Sequence, residues 1–556
     1  MRFTSFVPGS LVIILAALPA QAEPKLNTIP VSQPGIELSA DRAGVRSMVQ
    51  SFASDNGTHV SLQSNGGLEM AFGSLSPARA GTAADAAKAF VSGSLGLSVA
   101  GSVNKASAGD QLVVSSALEN NGTNHIRFSH EVAGIPVRGE EVAVSLNADN
   151  SVSCVNGTYH ELPANVPATT ISDKDAAARA VAHIGATSLR VETTTTRAWL
   201  PIDGKLTLAI LANVASAAPL GDYEVAIDAA TGRVIGGENH LENAAGGFAD
   251  VKSDEGKVTA EGKIYPHSPL DHEMMTTAIT NLNAKDKLVG SYVNVTNAKE
   301  DAAVAANGQF FYEEGNTHFA EVMVYRNLEQ VHGFYKSMGF TGRDKVMAAA
   351  VHYGDAYDNA FYSPMSDSMS FGDGNKLNNL SLEDNVAFHE YSHGVVKLIT
   401  PLSGAEGGAM NEADADYFAC TMTGDSKLGV WVMRKLNRPW MRNLDNKKHY
   451  PEDLHGEVHA DGEIWGAVMW DIRNALGAGT ADRTIFKSWY NMPNRPSMKN
   501  GGEAIIAADK QLNNGANADK LTAIFKARGI FPATNAQFAG ERSIARQASF
   551  LGLFNE

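Results

Sequence analysis

The chain has 556 residues, a formal net charge of −16 and an ordinary globular composition, 44% hydrophobic and 19% charged. One hydrophobic core rarely serves more than roughly 250–300 residues, so several folding units are expected. The acidic balance, with no basic block and no heptad repeat, argues against nucleic acid or an anionic membrane as the main partner.

Residues 1–22 read as an export signal. Arg2 gives a positive start, Leu11 to Leu18 is an apolar run too short to span a bilayer, and Ala20-Gln21-Ala22 is a small-x-small cleavage site. No later stretch is long and apolar enough to span, so a secreted product, extracellular or periplasmic, is expected. The only cysteines, Cys154 and Cys420, are too few for a disulfide framework. Cys420 follows Tyr417-Phe418-Ala419 and reads as a buried thiol.

Residues 23–240 alternate in short runs, such as Ile126 to Ser129, Val142 to Leu146 and Tyr223 to Ile227. Asn156-Gly157, Asp203-Gly204 and Gly232 read as turns between them, and helical patterns interrupt near Ala83 to Leu95 and Asp173 to His183. This predicts antiparallel sheet with a few packed helices. Gly236-Gly237 and Ala244-Ala245-Gly246-Gly247 read as a linker or processing site. From there to residue 385 the pattern is mixed, with a strand-like run at Lys345 to His352, and from Ser381 it is mainly helical.

The chemistry lies in two helical segments. Ser381 with Asp384 predicts a capping box opening the first helix. On it His389 and His393 are four apart, so both imidazoles leave one face and can meet a single zinc ion. Glu390 is turned about 100° away and is free to act as a base on water. By itself this pair could be a surface pair or a structural site. A second helix, predicted to follow a loop at Gly407-Gly408, carries Glu412 and Asp416 on one face. Two histidines and one glutamate leave one position open, as catalytic zinc requires, and Asp416 can fix the tautomer of a ligating histidine.

His-Glu-Tyr-Ser-His with Glu412 nineteen residues after His393 resembles thermolysin and its relatives, and is similar to the fungal secreted fungalysins. The resemblance implies an α+β fold: a two-lobed catalytic domain, β-rich then helical, preceded by an α+β propeptide. It divides the chain into a signal peptide at 1–22, an inhibitory and chaperoning propeptide at 23–240, a β-rich lobe at 241–385 and a helical lobe at 386–556. The propeptide reading rests on Arg127 to Gly139. It also implies one catalytic zinc on His389, His393 and Glu412, Glu390 as base, and His459 as a second catalytic histidine from Gly456-Glu457-Val458-His459. Substrate-binding positions fall at Asn359, Ala360 and Arg442, with Val386 lining the pocket after the cut bond. The expected activity is that of a zinc endopeptidase made as a zymogen, acting on protein and peptide substrates and favouring apolar residues after the cut.

Three features depart from the family. The usual double-calcium acids look absent, leaving Asn385 and Asp425, so Ca2+ beside the zinc is left open. No tyrosine lies between Gly394 and Asn411, where the family places a catalytic one. Leu454 replaces the acid that orients the second histidine, leaving Asp453 or Glu457 for that task. The alternatives are an exported peptide-binding or adhesion relative without catalysis, and another zinc hydrolase such as an exopeptidase.

Overall fold

The computed structural model describes residues 24, 26–32, 34–37, 58–63, 67–100, 109–160, 169–241 and 258–532. The export-signal reading at 1–22 and the linker or processing-site reading at Ala244 to Gly247 fall outside these residues. Among the described residues no helix is long and apolar enough to cross a membrane. The molecule is α+β throughout.

Residues before 242 form a twelve-stranded, mostly antiparallel sheet. Its first part pairs Asp110–Asn120, Thr123–Val132, Ile135–Leu146 and Val152–Tyr159 in sequence. Helix α1 (Ala83–Gly93) covers this part with Phe90 and Val91, packed against Ile126, Phe128 and Val144. The second part pairs Thr194–Ile202, Lys205–Ala218, Leu220–Asp228 and Val234–Asn239. Helix α2 (Asp173–Ile184) covers it with Ala176, Ala180 and Ile184. Both helices open on the hydroxyl caps their sequences contain, Thr82 accepting from Asp85 N and Ser172 from Asp175 N. The two parts join where Val137 pairs with Trp199, whose indole donates to Val132 O at 2.8 Å.

Two expected breaks are strand interiors. Asn156-Gly157 lies inside Val152–Tyr159, because a side chain at Gly157 would stand 2.2 Å from Glu141 O on the neighbouring strand. The glycine permits close backbone approach rather than a turn. Gly236-Gly237 lies inside Val234–Asn239, where Gly237 N donates to Asn27 O at 2.7 Å, and a Cβ on Gly236 would lie 2.5 Å from that same oxygen.

From residue 258 a three-stranded sheet is followed by a four-stranded one, ordered Val293–Asn297, Met347–Val351, Ser368–Phe371, Ala360–Ser363. Its last strand is antiparallel and lies at the edge. Helix α3 (His318–Ser337) packs against these strands. Six helices follow: α4 (Asp384–Ile399), α5 (Gly404–Thr423), α6 (Val458–Leu476), α7 (Ala478–Ser488), α8 (Met498–Asn513) and α9 (Ala518–Ala527). One continuous apolar cluster runs from Ala260 to Phe531, so the β-rich and helical parts share a core. The division at 385/386 falls in the first turn of α4.

Two helix starts differ from expectation. Ser381 sits in a short 3-10 turn, and α4 begins at Asp384 without a side-chain cap. Gly407-Gly408 lies inside α5 rather than before it. There α5 is packed between α4 and α6, and tertiary contacts override the roughly 1 kcal/mol helix penalty of each glycine.

Candidate active site and metal centre

Helix α4 is buried on nearly every face, and α5 likewise. Polar groups on their facing sides therefore need partners, since an unsatisfied buried charge is expensive. They supply them to one another. His389 Nε2 and His393 Nε2 face each other at 3.0 Å, with the rings perpendicular. Each outer nitrogen faces an oxygen on α5: His389 Nδ1 lies 2.8 Å from Asp416 Oδ1, and His393 Nδ1 lies 3.1 Å from Asn411 Oδ1. Glu412 reaches between them, Oε2 3.4 Å from His389 Nε2 and Oε1 3.9 Å from His393 Nε2. Asp416 is fixed in turn by Arg442, which donates Nε and Nη2 to its two oxygens at 2.6 and 2.7 Å.

From the far side α6 brings His459, whose Nε2 lies 3.3 Å from Glu412 Oε2. Its Nδ1 lies 2.7 Å from Glu457 Oε1. Glu457 also caps α6, accepting from His459 N and Ala460 N. Of the two acids that the sequence offered as orienters, Asp453 is turned elsewhere, accepting from His449 N. Glu390 is buried beside this cluster, with Oε2 lacking a hydrogen-bond partner.

The charges of the cluster are strongly coupled. Burial opposes the imidazolium form of His389, yet the Asp416 and Glu412 carboxylates outweigh it and raise its pKa to about 10. At His393 burial prevails and the pKa falls to about 4. Burial is the main cause that pushes Glu390 up to about 8. Burial also opposes ionisation of Glu412 and Asp416, but three histidines hold Glu412 well below the usual carboxylate range, and Arg442 with His389 brings Asp416 to about 2. His459 is raised, Glu412 and Glu457 outweighing burial. Positive charge is thus drawn to the point that the two Nε2 atoms and Glu412 share.

These residues fit a zinc ion. Two imidazole nitrogens and a carboxylate are its usual donors. Donors about 2.0–2.1 Å from one tetrahedral centre stand roughly 3.4 Å apart, close to the separations found here. Acceptors on both outer nitrogens leave Nε2 lone pairs facing inward. A second convergence of metal-capable side chains, Glu224, Glu238 and His240, already has a cation: Arg138 pairs with both carboxylates at 2.5 and 2.9 Å.

The remaining sequence candidates surround this centre at varying distance. Val386 is buried in the first turn of α4. Ala360 opens the edge strand opposite Phe371, and Asn359 O accepts from Gly372 N at 3.0 Å. Near them is a group that the sequence did not single out, the Tyr357 phenol. It is hydrogen-bonded to the Asn359 side chain and within electrostatic reach of Glu390, and burial raises its pKa. Asn411 was also missed, because an amide within an acid-rich helix carries no signal until His393 is placed beside it. Where the family's calcium acids are lacking, Glu383 accepts from Val430 N and Val432 N at 2.7 and 2.9 Å, and Asn385 accepts from Gly429 N. Hydrogen bonds tie the loop at 429–432 to the start of α4. Asp425 is exposed and pairs with Lys427.

Residues before 242 reach this part of the molecule near the edge strand. Asp222 accepts from Ser363 Oγ at 2.9 Å and Met365 N at 3.0 Å, and Arg190 pairs with Asp222 while also donating to Ser363 Oγ. Cys154 and Cys420 are both buried and free.

Comparison with known proteins finds two family matches along the chain. Residues 258–397 match the thermolysin metallopeptidase catalytic domain, a stretch that includes His389, Glu390 and His393 and stops before Glu412. Residues 110–159 match the fungalysin/thermolysin propeptide motif. The chain is 25% identical over 477 residues to bacillolysin of Bacillus amyloliquefaciens, covering 77% of this chain and 87% of that protein. It is 25% identical over 191 residues to extracellular metalloproteinase 2 of Trichophyton tonsurans, covering 27% and 30%. Among solved structures, the precursor of protealysin, a metalloproteinase from Serratia proteamaculans, aligns with a TM-score of 0.39 at 18% identity, covering 43% of this chain and 87% of that one. The chain thus carries a fungalysin/thermolysin propeptide motif ahead of a thermolysin metallopeptidase catalytic-domain match, the arrangement of a thermolysin-like metalloendopeptidase precursor.

Proposed function

We propose that the chain is exported, loses its first 240 or so residues, and then cleaves proteins through a zinc ion held by His389, His393 and Glu412. The observation carrying this reading is the meeting of two Nε2 atoms and one carboxylate, with both outer imidazole nitrogens occupied by Asp416 and Asn411. Zinc bound there supplies Lewis acidity toward a peptide carbonyl and lowers the pKa of water.

The chain's own residues do the rest. Glu390, buried and with one oxygen unpartnered, takes the proton of the attacking water and passes it to the departing amine. Its raised pKa suits both transfers near neutral pH. His459, oriented by Glu457, donates to the developing oxyanion, a contribution of roughly 3–4 kcal/mol for such donors. Arg442 holds Asp416 through Nε and Nη2, which leaves Nη1 for a substrate carbonyl. Substrate lies extended along the edge strand at Asn359 and Ala360, adding a strand by backbone pairing that tolerates many sequences. Val386 lines the pocket beyond the cut bond, favouring apolar side chains there. The export reading rests on the pattern at 1–22 and is consistent with a relative named as extracellular.

Two substitutions test the assignment in the processed protein. Glu390→Gln keeps zinc by metal analysis and loses roughly 10²–10⁴-fold in casein hydrolysis. Glu412→Gln lowers the zinc stoichiometry. Full activity of the first, or an unchanged metal content in the second, removes that residue from its role.

A further inference from the structure

The propeptide region meets the catalytic part through a polar contact that is separate from the metal centre. Lys487, near the end of α7, is 1% exposed and donates to Asn120 O at 3.0 Å. Its Nζ also lies 2.9 Å from His125 Nε2. Burial brings the Lys487 pKa down to about 7; below that pH it is an ammonium with no acceptor, so Nε2 must be the unprotonated nitrogen of a neutral His125. The network beyond agrees with this tautomer. Asn491 Nδ2 donates to Gln511 Oε1 at 3.1 Å, so Asn491 Oδ1 is the acceptor for Ser145 Oγ–H at 2.9 Å. Ser145 Oγ in turn receives His125 Nδ1–H at 2.8 Å. Donation therefore runs one way, from Lys487 into Nε2 and from Nδ1 out to Ser145 and Asn491.

The groups facing His125 offer a second proton nothing to bind. On its own strand is Arg127, already paired with Glu141 at 2.6 Å and donating to Met492 O at 2.9 Å. From α7 comes Lys487, and from the following turn the ring of Tyr490, with centroids 4.6 Å apart. The nearest carboxylate on the adjacent strand, Glu119, is exposed and accepts from Gly122 N. Among the described residues, no carboxylate is hydrogen-bonded to His125 or Lys487.

We propose that this contact is a proton-operated latch: protonating His125 sets its new N–H against the buried Lys487 ammonium and loosens the propeptide from the turn at Trp489–Asn491. Electrostatics supports the geometry. Burial, Lys487 and Arg127 all hold the imidazole well below its usual pKa. The sign follows from linkage. The docked state holds His125 neutral, whereas the undocked state takes up a proton below about pH 6.5. The penalty from His125 is absent well above that value and approaches tenfold for each unit below it. Mild acid would thereby uncover the catalytic part, extending the zymogen reading above to its control.

The test uses the full chain carrying Glu390→Gln, so self-processing is absent and failure of the latch leaves the reading of the active site untouched. The reporter is the Asn494 amide, which donates to Glu141 Oε1 across the contact at 3.1 Å. Its hydrogen exchange, corrected for intrinsic chemistry, is followed at pH 6.5 and 5.0, with the strand Lys205–Ala218 as the control for folding. Protection at residues 489–494 is expected to fall about fifteenfold over that interval. It should change less than threefold when His125→Gln keeps an acceptor for Lys487 but cannot take the proton. Lys487→Met, which removes the opposing charge but leaves the burial, should shrink the response without abolishing it, and decides the matter if the glutamine variant does not fold. Protection that is unchanged by acid in the parent, or that falls equally in the folded variants, overturns the latch.

Discussion

At the scale of single residues, the proposed ligand set was legible because it is coded locally. Two histidines one turn apart on α4, and Glu412 with Asp416 one turn apart on α5, declare their shared faces through helix period alone. Partners supplied from other elements were not. Asn411 and Tyr357 acquire meaning only once α4 is placed beside α5 and the edge strand, and the choice between Asp453 and Glu457 needed the turn before α6. Glu457 takes the task from two positions away, with its carboxylate shared between the α6 cap and His459 Nδ1. Glu457→Gln keeps an oxygen for one of the two backbone donors and loses the charge that raises His459. The processed variant should melt within a few degrees of the parent and lose about tenfold or more in kcat, with little change in KM. Glu457→Asp should recover part of that loss. A change confined to KM would place Glu457 in substrate binding instead.

At the scale of elements, the site depends on how closely α5 and α6 approach. Gly462 on α6 faces Ala409 O and the Cβ of Glu412, and a methyl group there would stand 2.9 Å from that oxygen and 3.5 Å from that carbon. Backbone cannot yield as a flexible side chain can, so Gly462→Ala must separate the helices by some tenths of an ångström. A cost of about 1–3 kcal/mol is expected, read as a lower melting temperature, together with a drop in kcat/KM as His459 moves off Glu412. The sequence marked these helices by period but misplaced their starts. Ser381 has the spacing of a cap yet lies in a 3-10 turn, while Glu383 is drawn away to the 430–432 backbone. In the sheet, Gly157 and Gly236 were read as punctuation because glycine marks a turn and a close strand approach alike. Only the neighbouring backbone tells the two apart.

At the scale of the whole molecule, the propeptide region is built into the catalytic part rather than resting on it. Met70, Phe72 and Cys154 join the same apolar cluster as the catalytic helices, and the polar contact at Lys487 flanks them. A second attachment lies at the substrate side, where buried Asp222 gathers Arg190, Ser363 Oγ and Met365 N at the end of the edge strand. Removing one partner of a buried pair leaves the other charge stranded, at about 3–5 kcal/mol. Asp222→Ala should therefore release the 363–366 segment and leave Arg190, only 5% exposed, without its carboxylate. The contacts to Ser363 and Met365 cross between propeptide and catalytic part and the pair with Arg190 lies within the propeptide, so none of them is present in the processed enzyme. The penalty falls on the precursor alone. The variant precursor should mature faster than the parent at one pH, followed by gel and by amino-terminal sequencing, while the processed enzymes show the same kcat/KM. Equal maturation rates would mean that Asp222 stabilises the propeptide fold without restraining the edge strand, and would move the inhibitory hold to the Lys487 side.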